Sequence, residues 1–165
     1  MSNIERKCVA MIIDDDEMDQ FFHHKTINDA GIFSEIISFY YAADALEYLK
    51  DPNTCEIDVI FLDINMPRMN GFEFLEAAYA EFGDSFAKVV VVMVTSSLDP
   101  QDLENANKYN VVKEYINKPI SVEAVQNIGK LLPSWAFPEK WTEELSLFYS
   151  TGEATISLIL PFNIS

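Results

Sequence analysis

Four short apolar segments of this chain are each followed at once by side chains that can bind metal or phosphate. These side chains are Asp14, Asp15 and Asp16, then Asp63, then Thr95, Ser96 and Ser97, and last Lys118, which precedes Pro119. A sequence with a purely structural role has little reason to place ionisable groups after one buried run after another. We therefore interpret these positions as parts of one reactive site.

The residue types indicate which chemistry that site would perform. Clustered carboxylates repel one another unless a cation neutralises them. Oxygen ligands at a partly open site suit Mg²⁺, for which Mn²⁺ can substitute. A carboxylate on the open side can attack phosphorus and become an acyl phosphate. Mg²⁺, the Lys118 ammonium and the Thr95 hydroxyl would then surround the phosphoryl oxygens.

The elements that must position these groups follow from hydrophobic patterning. Apolar or β-branched runs predict five buried strands, at residues 9–13, 36–39, 59–62, 89–94 and 115–116. Segments with helical spacing alternate with them, which predicts a parallel sheet covered by helices on both faces. In such a sheet, ligands bind beyond the carboxyl ends of the strands. The candidate side chains lie at those ends.

Local signals place the helix boundaries. Phe21 and Phe22 belong to the apolar positions of the first helix, which we expect to end at Gly31. An N-cap aspartate followed by proline, Asp99-Pro100, predicts the start of the fourth helix. Ser121 predicts the start of the fifth.

Composition narrows the class of protein. The 165 residues are 49% hydrophobic, which predicts a globular chain with one core. The net charge of −16 argues against direct binding to nucleic acid. We expect no membrane partner, because no apolar run is long enough to span a bilayer and the N-terminus lacks a secretory apolar region. A bacterial-type cytoplasmic protein is predicted, with Cys8 and Cys55 as reduced packing residues.

Four stretches carry a resemblance to a known family. They are MIIDDDE at residues 11–17, FLDINMPRMNG at 61–71, VTSS at 94–97 and YINKP at 115–119. Together they resemble the signature blocks of response-regulator receiver domains, in the family's order and near its separations, over roughly residues 6–132. The resemblance implies a flavodoxin-like α/β fold with a five-stranded parallel sheet in the order 2-1-3-4-5.

The resemblance also assigns metal and acceptor roles. Asp63 matches the aspartate that accepts the phosphoryl group. Asp14 and Asp15 match the acidic pair, in which Asp15 would contact Mg²⁺ directly and Asp14 largely through water. Asn65 matches the position whose backbone carbonyl ligates the metal.

Further positions match the parts of the family that respond to phosphorylation. Thr95 matches the switch hydroxyl, Lys118 the lysine that pairs with the phosphoryl group, and Tyr115 the switch aromatic. The Lys118–Pro119 bond matches a cis position. Ser96 departs from the usual alanine but is small enough to leave the site open.

Several nearby residues have simpler interpretations. Asp16 is expected to cap the first helix. His23 and His24 are expected on the surface of that helix. Adjacent helical residues point about 100° apart, so these two histidines cannot easily share a metal.

Residues 1–132 are predicted to form the receiver domain and residues 133–165 an extension. The extension contains Trp135, Phe137 and Trp141. It either packs back on the receiver or serves for docking or dimerisation, and these alternatives stay open. It is too short and too poor in basic residues for a DNA-binding output domain.

These features predict a single-domain response regulator of a two-component system. A histidine kinase or a histidine phosphotransfer protein would phosphorylate Asp63, and a downstream effector protein would read the change. A homodimer could form through the face built from the fourth helix, fifth strand and fifth helix, or through the extension. The alternatives are a phosphorelay intermediate, a small aspartyl-phosphate phosphatase and a phosphorylation-independent scaffold. Beyond its own phosphorylation and dephosphorylation, no enzymatic activity is expected.

Overall fold

The computed structural model describes residues 8–133. Residues 1–7 and 134–165 lie outside the described part of the chain. The predictions for the C-terminal extension, including its aromatic residues and its role in docking or dimerisation, therefore lie outside it as well.

Five parallel strands form one sheet in the order β2-β1-β3-β4-β5. They span Val9–Ile13 (β1), Glu35–Phe39 (β2), Val59–Asp63 (β3), Val90–Thr95 (β4) and Val112–Asn117 (β5). The predicted fold class and strand order are confirmed. β5 is longer than predicted, because as an edge strand it exposes Lys113 and Glu114 and so lacks a continuous apolar run.

Four α-helices connect the strands, a fifth follows β5, and a 3-10 helix at Gly83–Lys88 precedes β4. They span Glu17–Asp29 (α1), Ala42–Lys50 (α2), Gly71–Phe82 (α3), Pro100–Ala106 (α4) and Val122–Gly129 (α5). The predicted N-caps are confirmed: the side chains of Asp16, Asp99 and Ser121 each accept a hydrogen bond from the first turn of their helix.

The core lies in two layers, one on each face of the sheet. On one face, Ile60, Leu62 and Met93 pack against α2 and α3. On the other face, Phe61 and Val94 pack among residues of α1 and α5. Because β1 and β3 are covered on both sides, every residue in them is buried. This burial holds the carboxyl ends of the central strands in place.

The orientation of α1 corrects two expectations. Phe21 and Phe22 do not face the core but are 64% and 52% exposed. The inward face carries Gln20, His23 and Ile27, so the prediction that His23 lies on the surface is wrong, whereas His24 is exposed as predicted.

A hydrogen-bonding requirement explains this orientation. The Gln20 amide donates to the backbone carbonyls of Asp14 and Phe39, which lie at the ends of β1 and β2. Buried carbonyl groups need hydrogen-bond partners; Gln20 supplies one to Asp14 and a second donor, besides the Asp14 N–H, to Phe39. Hydrophobicity alone could not reveal this requirement.

The predictions for the two cysteines are confirmed only in part, and the prediction for the cis bond is confirmed. Cys8 and Cys55 form no disulfide, as predicted. Cys8 is a buried packing residue, but Cys55 is exposed, so the packing role predicted for it is wrong. The Lys118–Pro119 peptide bond is cis, as the resemblance implied.

Gly71 allows α3 to begin directly against the end of β3. Its backbone N–H donates to the Ile64 carbonyl at 2.9 Å. A Cβ at this position would lie 2.6 Å from the Asp63 carbonyl oxygen and 3.1 Å from the Ile64 Cα. Both neighbours are backbone atoms and cannot rotate away, so only glycine fits here without a shift of the Asp63 backbone.

We therefore expect Gly71→Ala to destabilise the protein by about 1–3 kcal/mol, as overpacking does, and to weaken the Mg²⁺ binding that the resemblance implies at Asp63. Urea denaturation and titration with Mg²⁺ measure the two effects. Ala80→Gly, at an exposed position of α3, is the control: it costs about 1 kcal/mol of helix propensity and should leave metal binding intact. Unchanged stability and metal affinity in Gly71→Ala would contradict the steric argument.

Candidate metal and phosphoryl site

Parallel strands bring the predicted site residues to one edge of the sheet. Asp14 directly follows β1, Asp63 ends β3, Thr95 ends β4 and Lys118 directly follows β5. A backbone hydrogen bond holds Thr95 and Lys118 next to each other: the Lys118 N–H donates to the Thr95 carbonyl at 2.7 Å. The four strand ends are therefore neighbours in space, as the sequence predicted.

Three carboxylates form an acidic cluster at this edge. One oxygen from each of Asp14, Asp15 and Asp63 lies within 4.8 Å of the others. Asp14 and Asp63 are buried, whereas Asp15 is exposed. A set of hard oxygen ligands that is enclosed on one side and open on the other fits Mg²⁺, which keeps part of its water shell.

Burial and mutual repulsion disfavour the ionised forms of the two enclosed carboxylates. Burial first, and the charge of Asp14 second, raise the pKa of Asp63 to about 6, although Lys118 partly offsets them. Burial likewise raises the pKa of Asp14, against hydrogen bonds from Lys118 and the Asp16 backbone. A divalent cation would relieve this repulsion, so the cluster is suited to one.

The Lys118 ammonium offsets part of the negative charge of the cluster. Its Nζ lies 2.7 Å from Asp14 Oδ2, 2.7 Å from Asp19 Oδ2 and 3.5 Å from Asp63 Oδ1. Burial alone would lower the pKa of Lys118, but the hydrogen bonds to Asp14 and Asp19 outweigh burial and hold it above its usual value. The lysine is therefore charged and is bound more closely to Asp14 and Asp19 than to Asp63.

Two residues that sequence reasoning missed adjoin the cluster, and both come from α1. Asp19 binds Lys118, and the buried His23 places its Nδ1 3.7 Å from Asp14 Oδ2, too far for a hydrogen bond. Burial lowers the pKa of His23, although the charge of Asp14 opposes this. Acidic residues in a first helical turn are ordinary, so no signal in the sequence singled out Asp19.

The Thr95 hydroxyl is turned toward the β4–α4 loop. It donates to the Ser97 carbonyl at 3.0 Å and accepts from the Ser97 N–H at 3.2 Å. Tyr115 is partly buried on β5, and its phenol is a neighbour of Thr95. Burial first, and the charge of Asp102 second, raise the pKa of this phenol, whereas Thr95 partly lowers it.

The loop between β3 and α3 lies beside Asp63. The Asn65 N–H lies 3.4 Å from Asp63 Oδ1, and the Asn65 side chain is exposed. Arg68 adopts a left-handed backbone conformation, with φ at 69°, and its guanidinium lies 4.9 Å from the centre of the Tyr41 ring. This cation–π contact joins the loop to the start of α2.

The raised pKa of Asp63 predicts a pH-dependent gain in stability when its charge is removed. The folded protein binds this proton more tightly than the unfolded chain, so the ionised carboxyl destabilises the metal-free fold above about pH 6. We expect Asp63→Asn to raise the free energy of unfolding at pH 7.5 by up to about 3 kcal/mol in a chelator.

Urea denaturation across pH tests this expectation. The gain in the free energy of unfolding should shrink as the pH falls from about 6 toward 4. At pH 7.5, Mg²⁺ should also reduce this gain, because it binds and stabilises the wild type. Asp51→Asn, at an exposed carboxyl outside the acidic cluster, is the control, and Mg²⁺ should not alter its effect on stability. A gain that is the same at pH 4 and pH 7.5 would exclude ionisation of Asp63 as its cause.

In residues 8–133, no helix is both long and apolar enough to span a membrane. The chain spans less than half the length of the curated relatives it matches. It is 28% identical to the transcriptional regulatory protein CitT of Halalkalibacterium halodurans, over 70% of this chain and 48% of that protein. It is also 28% identical to hybrid signal transduction histidine kinase D of Dictyostelium discoideum, over 87% of this chain and 9% of that protein.

Solved structures show the same fold. A two-component response regulator from Cytophaga hutchinsonii matches with a TM-score of 0.69 and 28% identity, over 76% of this chain and 96% of that one. A response regulator receiver protein from Dyadobacter fermentans matches with a TM-score of 0.65 and 26% identity, over 79% and 99%. The family model of the response regulator receiver domain matches residues 10–129. The chain therefore belongs to the family of response regulator receiver domains.

Proposed function

We propose that Asp63 accepts a phosphoryl group in a Mg²⁺-dependent reaction, and that a histidine kinase or histidine phosphotransfer protein supplies it. The observation that carries this proposal is the grouping of the Asp14, Asp15 and Asp63 carboxylates within 4.8 Å, beside the Lys118 ammonium. When bound, the metal would neutralise the acidic cluster and the phosphoryl oxygens. Asp14, Asp15, Asp63 and the Asn65 backbone carbonyl would hold it.

The reaction transfers a phosphoryl group from a nitrogen to an oxygen. A carboxylate oxygen of Asp63 attacks the phosphorus of a phosphohistidine, the P–N bond breaks, and the imidazole leaves with the bonding electrons and takes up a proton. Asp63 performs this attack as the carboxylate, and its pKa of about 6 keeps that form dominant at neutral pH. Lys118 then pairs with a phosphoryl oxygen.

The phosphoryl group would act as a switch through Thr95. To reach it, the Thr95 hydroxyl must give up its hydrogen bonds with Ser97, which reshapes the β4–α4 loop. Tyr115, the neighbour of Thr95, would respond and alter the face formed by α4, β5 and α5. We propose that a downstream effector protein, or a second copy of the chain, reads this face in the cytoplasm.

We propose no turnover on external phosphoesters. An aspartyl-phosphate phosphatase would need a second acid two residues after its nucleophile, where this chain has Asn65. A role as a phosphorelay intermediate uses the same acceptor chemistry and is the second candidate. In that case the phosphoryl group would pass from Asp63 to a histidine of another protein.

Phosphorylation of Asp63 is tested with acetyl phosphate and Mg²⁺. Intact-mass spectrometry should show one added phosphoryl group, which Asp63→Asn and addition of a chelator should each abolish. Asp51→Asn removes an exposed carboxyl at the end of α2 and should be phosphorylated like the wild type. Phosphorylation that persists in Asp63→Asn would place the acceptor elsewhere.

An exposed apolar surface on α1 lies next to the site. Met18, Phe21 and Phe22 occupy positions i, i+3 and i+4 of α1, and each is more than half exposed. Asp19 of the same helix binds Lys118, so a protein that covers this surface also reaches the acidic cluster. We propose that the phosphohistidine donor docks here.

Phe22→Ala should therefore slow phosphotransfer from a histidine kinase about tenfold and leave phosphorylation by acetyl phosphate unchanged. Profiling against the histidine kinases of the host identifies the donor for this measurement. The control is Leu131→Ala, which removes an equally exposed apolar side chain beyond the end of α5. Equal effects of Phe22→Ala on both donors would argue against docking at α1.

A further inference from the structure

We propose that Asp19 is a positioning residue that competes with the phosphoryl group on Asp63 for the Lys118 ammonium and so weakens the phosphorylated state. The inference rests on the proposed phosphorylation of Asp63 and adds a regulatory contact to that site. Asp19 acts through Lys118 and does not touch the reacting atoms.

The distances show where Lys118 is held. An ammonium has three N–H donors. Asp14 and Asp19 each take one at 2.7 Å, which is the length of a strong charge-assisted hydrogen bond. Asp63 lies at 3.5 Å and forms only an ion pair. Lys118 is therefore committed to one site carboxylate and to Asp19, while its contact with the acceptor is the weakest of the three.

Burial indicates which of these contacts yields when the site is phosphorylated. The Asp14 side chain is 2% exposed, so losing its ammonium partner would leave a buried carboxylate unpaired, which is costly. The Asp19 side chain is 37% exposed, so water can replace its contact at much lower cost. Asp19 is therefore the partner whose contact weakens more easily when Lys118 moves toward a phosphoryl group on Asp63.

Asp19 also opposes phosphorylation by its charge. A phosphoryl group carries about −1.5 to −2 charges at neutral pH, and it would form on Asp63, which already shares Lys118 with Asp19. The carboxylate of Asp19 repels this added charge and at the same time attracts the lysine away from it. Both effects disfavour the phosphorylated state.

The local structure of α1 keeps Asp19 in this position. The Asp19 N–H donates to the capping side chain of Asp16 at 3.0 Å. The next residue, Gln20, is tied to the carbonyls of Asp14 and Phe39. Asp16 and Gln20 thus anchor the helix before and after Asp19. The fold therefore holds Asp19 in a fixed position beside Lys118.

Binding of beryllofluoride, a mimic of the phosphoryl group, tests the inference. We expect Asp19→Asn to bind beryllofluoride in the presence of Mg²⁺ about fivefold more tightly than the wild type. The ¹⁹F resonances of the bound group should shift, because Lys118 approaches it more closely. In crystals of the metal-free Asp19→Asn variant, Lys118 Nζ should lie closer to Asp63 Oδ1 than 3.5 Å.

Two matched variants distinguish loss of the contact between Asp19 and Lys118 from loss of negative charge in general. Glu17→Gln removes the same charge from an exposed position in the same turn of α1 and should leave beryllofluoride affinity near that of the wild type. Asp19→Glu keeps a carboxylate that can reach Lys118 and should also resemble the wild type. Thermal denaturation of each variant shows that it is folded.

Three results would overturn the inference. Asp19→Asn could bind beryllofluoride no more tightly than the wild type, or Glu17→Gln could tighten binding as much, or Asp19→Glu could match Asp19→Asn. In each of these cases the wild type still binds beryllofluoride, so the proposed function stands. A wild type that neither binds beryllofluoride nor accepts a phosphoryl group would instead overturn the proposed function, and this inference with it.

Discussion

Two buried carboxylates, Asp14 and Asp63, lie close together at the carboxyl edge of the sheet, and their repulsion is the constraint on which the site depends. Burial raises the pKa of both groups, and that of Asp63 reaches about 6. The fold tolerates them because β1 and β3 are packed on both faces and cannot move apart. The energy held in this repulsion is available to a cation that binds between the two carboxylates.

Lys118 offsets part of this repulsion. Its backbone is held by the hydrogen bond between its N–H and the Thr95 carbonyl. The ammonium is shared among Asp14, Asp19 and Asp63. A change of charge at any of these carboxylates therefore redistributes the lysine among the others, which is how a local event at Asp63 can reach α1.

α1 contributes residues both to the surroundings of the acidic cluster and to an exposed apolar surface. Its inward face carries Gln20, which donates hydrogen bonds to carbonyls at the ends of β1 and β2. The same face carries His23, whose Nδ1 lies 3.7 Å from Asp14 Oδ2. Its first turn supplies Asp19, and its outer face exposes Phe21 and Phe22. The apolar surface proposed for the phosphodonor thus lies on the same helix as Asp19, whose partner Lys118 is 3.5 Å from Asp63.

The sequence by itself determined the five parallel strands, the helix caps at Asp16, Asp99 and Ser121, and the meeting of Asp14, Asp63, Thr95 and Lys118 at one edge. Hydrophobic runs, capping chemistry and the geometry of parallel sheets are local or topological rules that can be read along the chain. Only the tertiary structure decided which face of α1 is buried, that His23 lies inside, and that Asp19 takes a share of Lys118. Those outcomes depend on which buried carbonyl or ammonium needs a partner in space, and no spacing along the chain expresses that need.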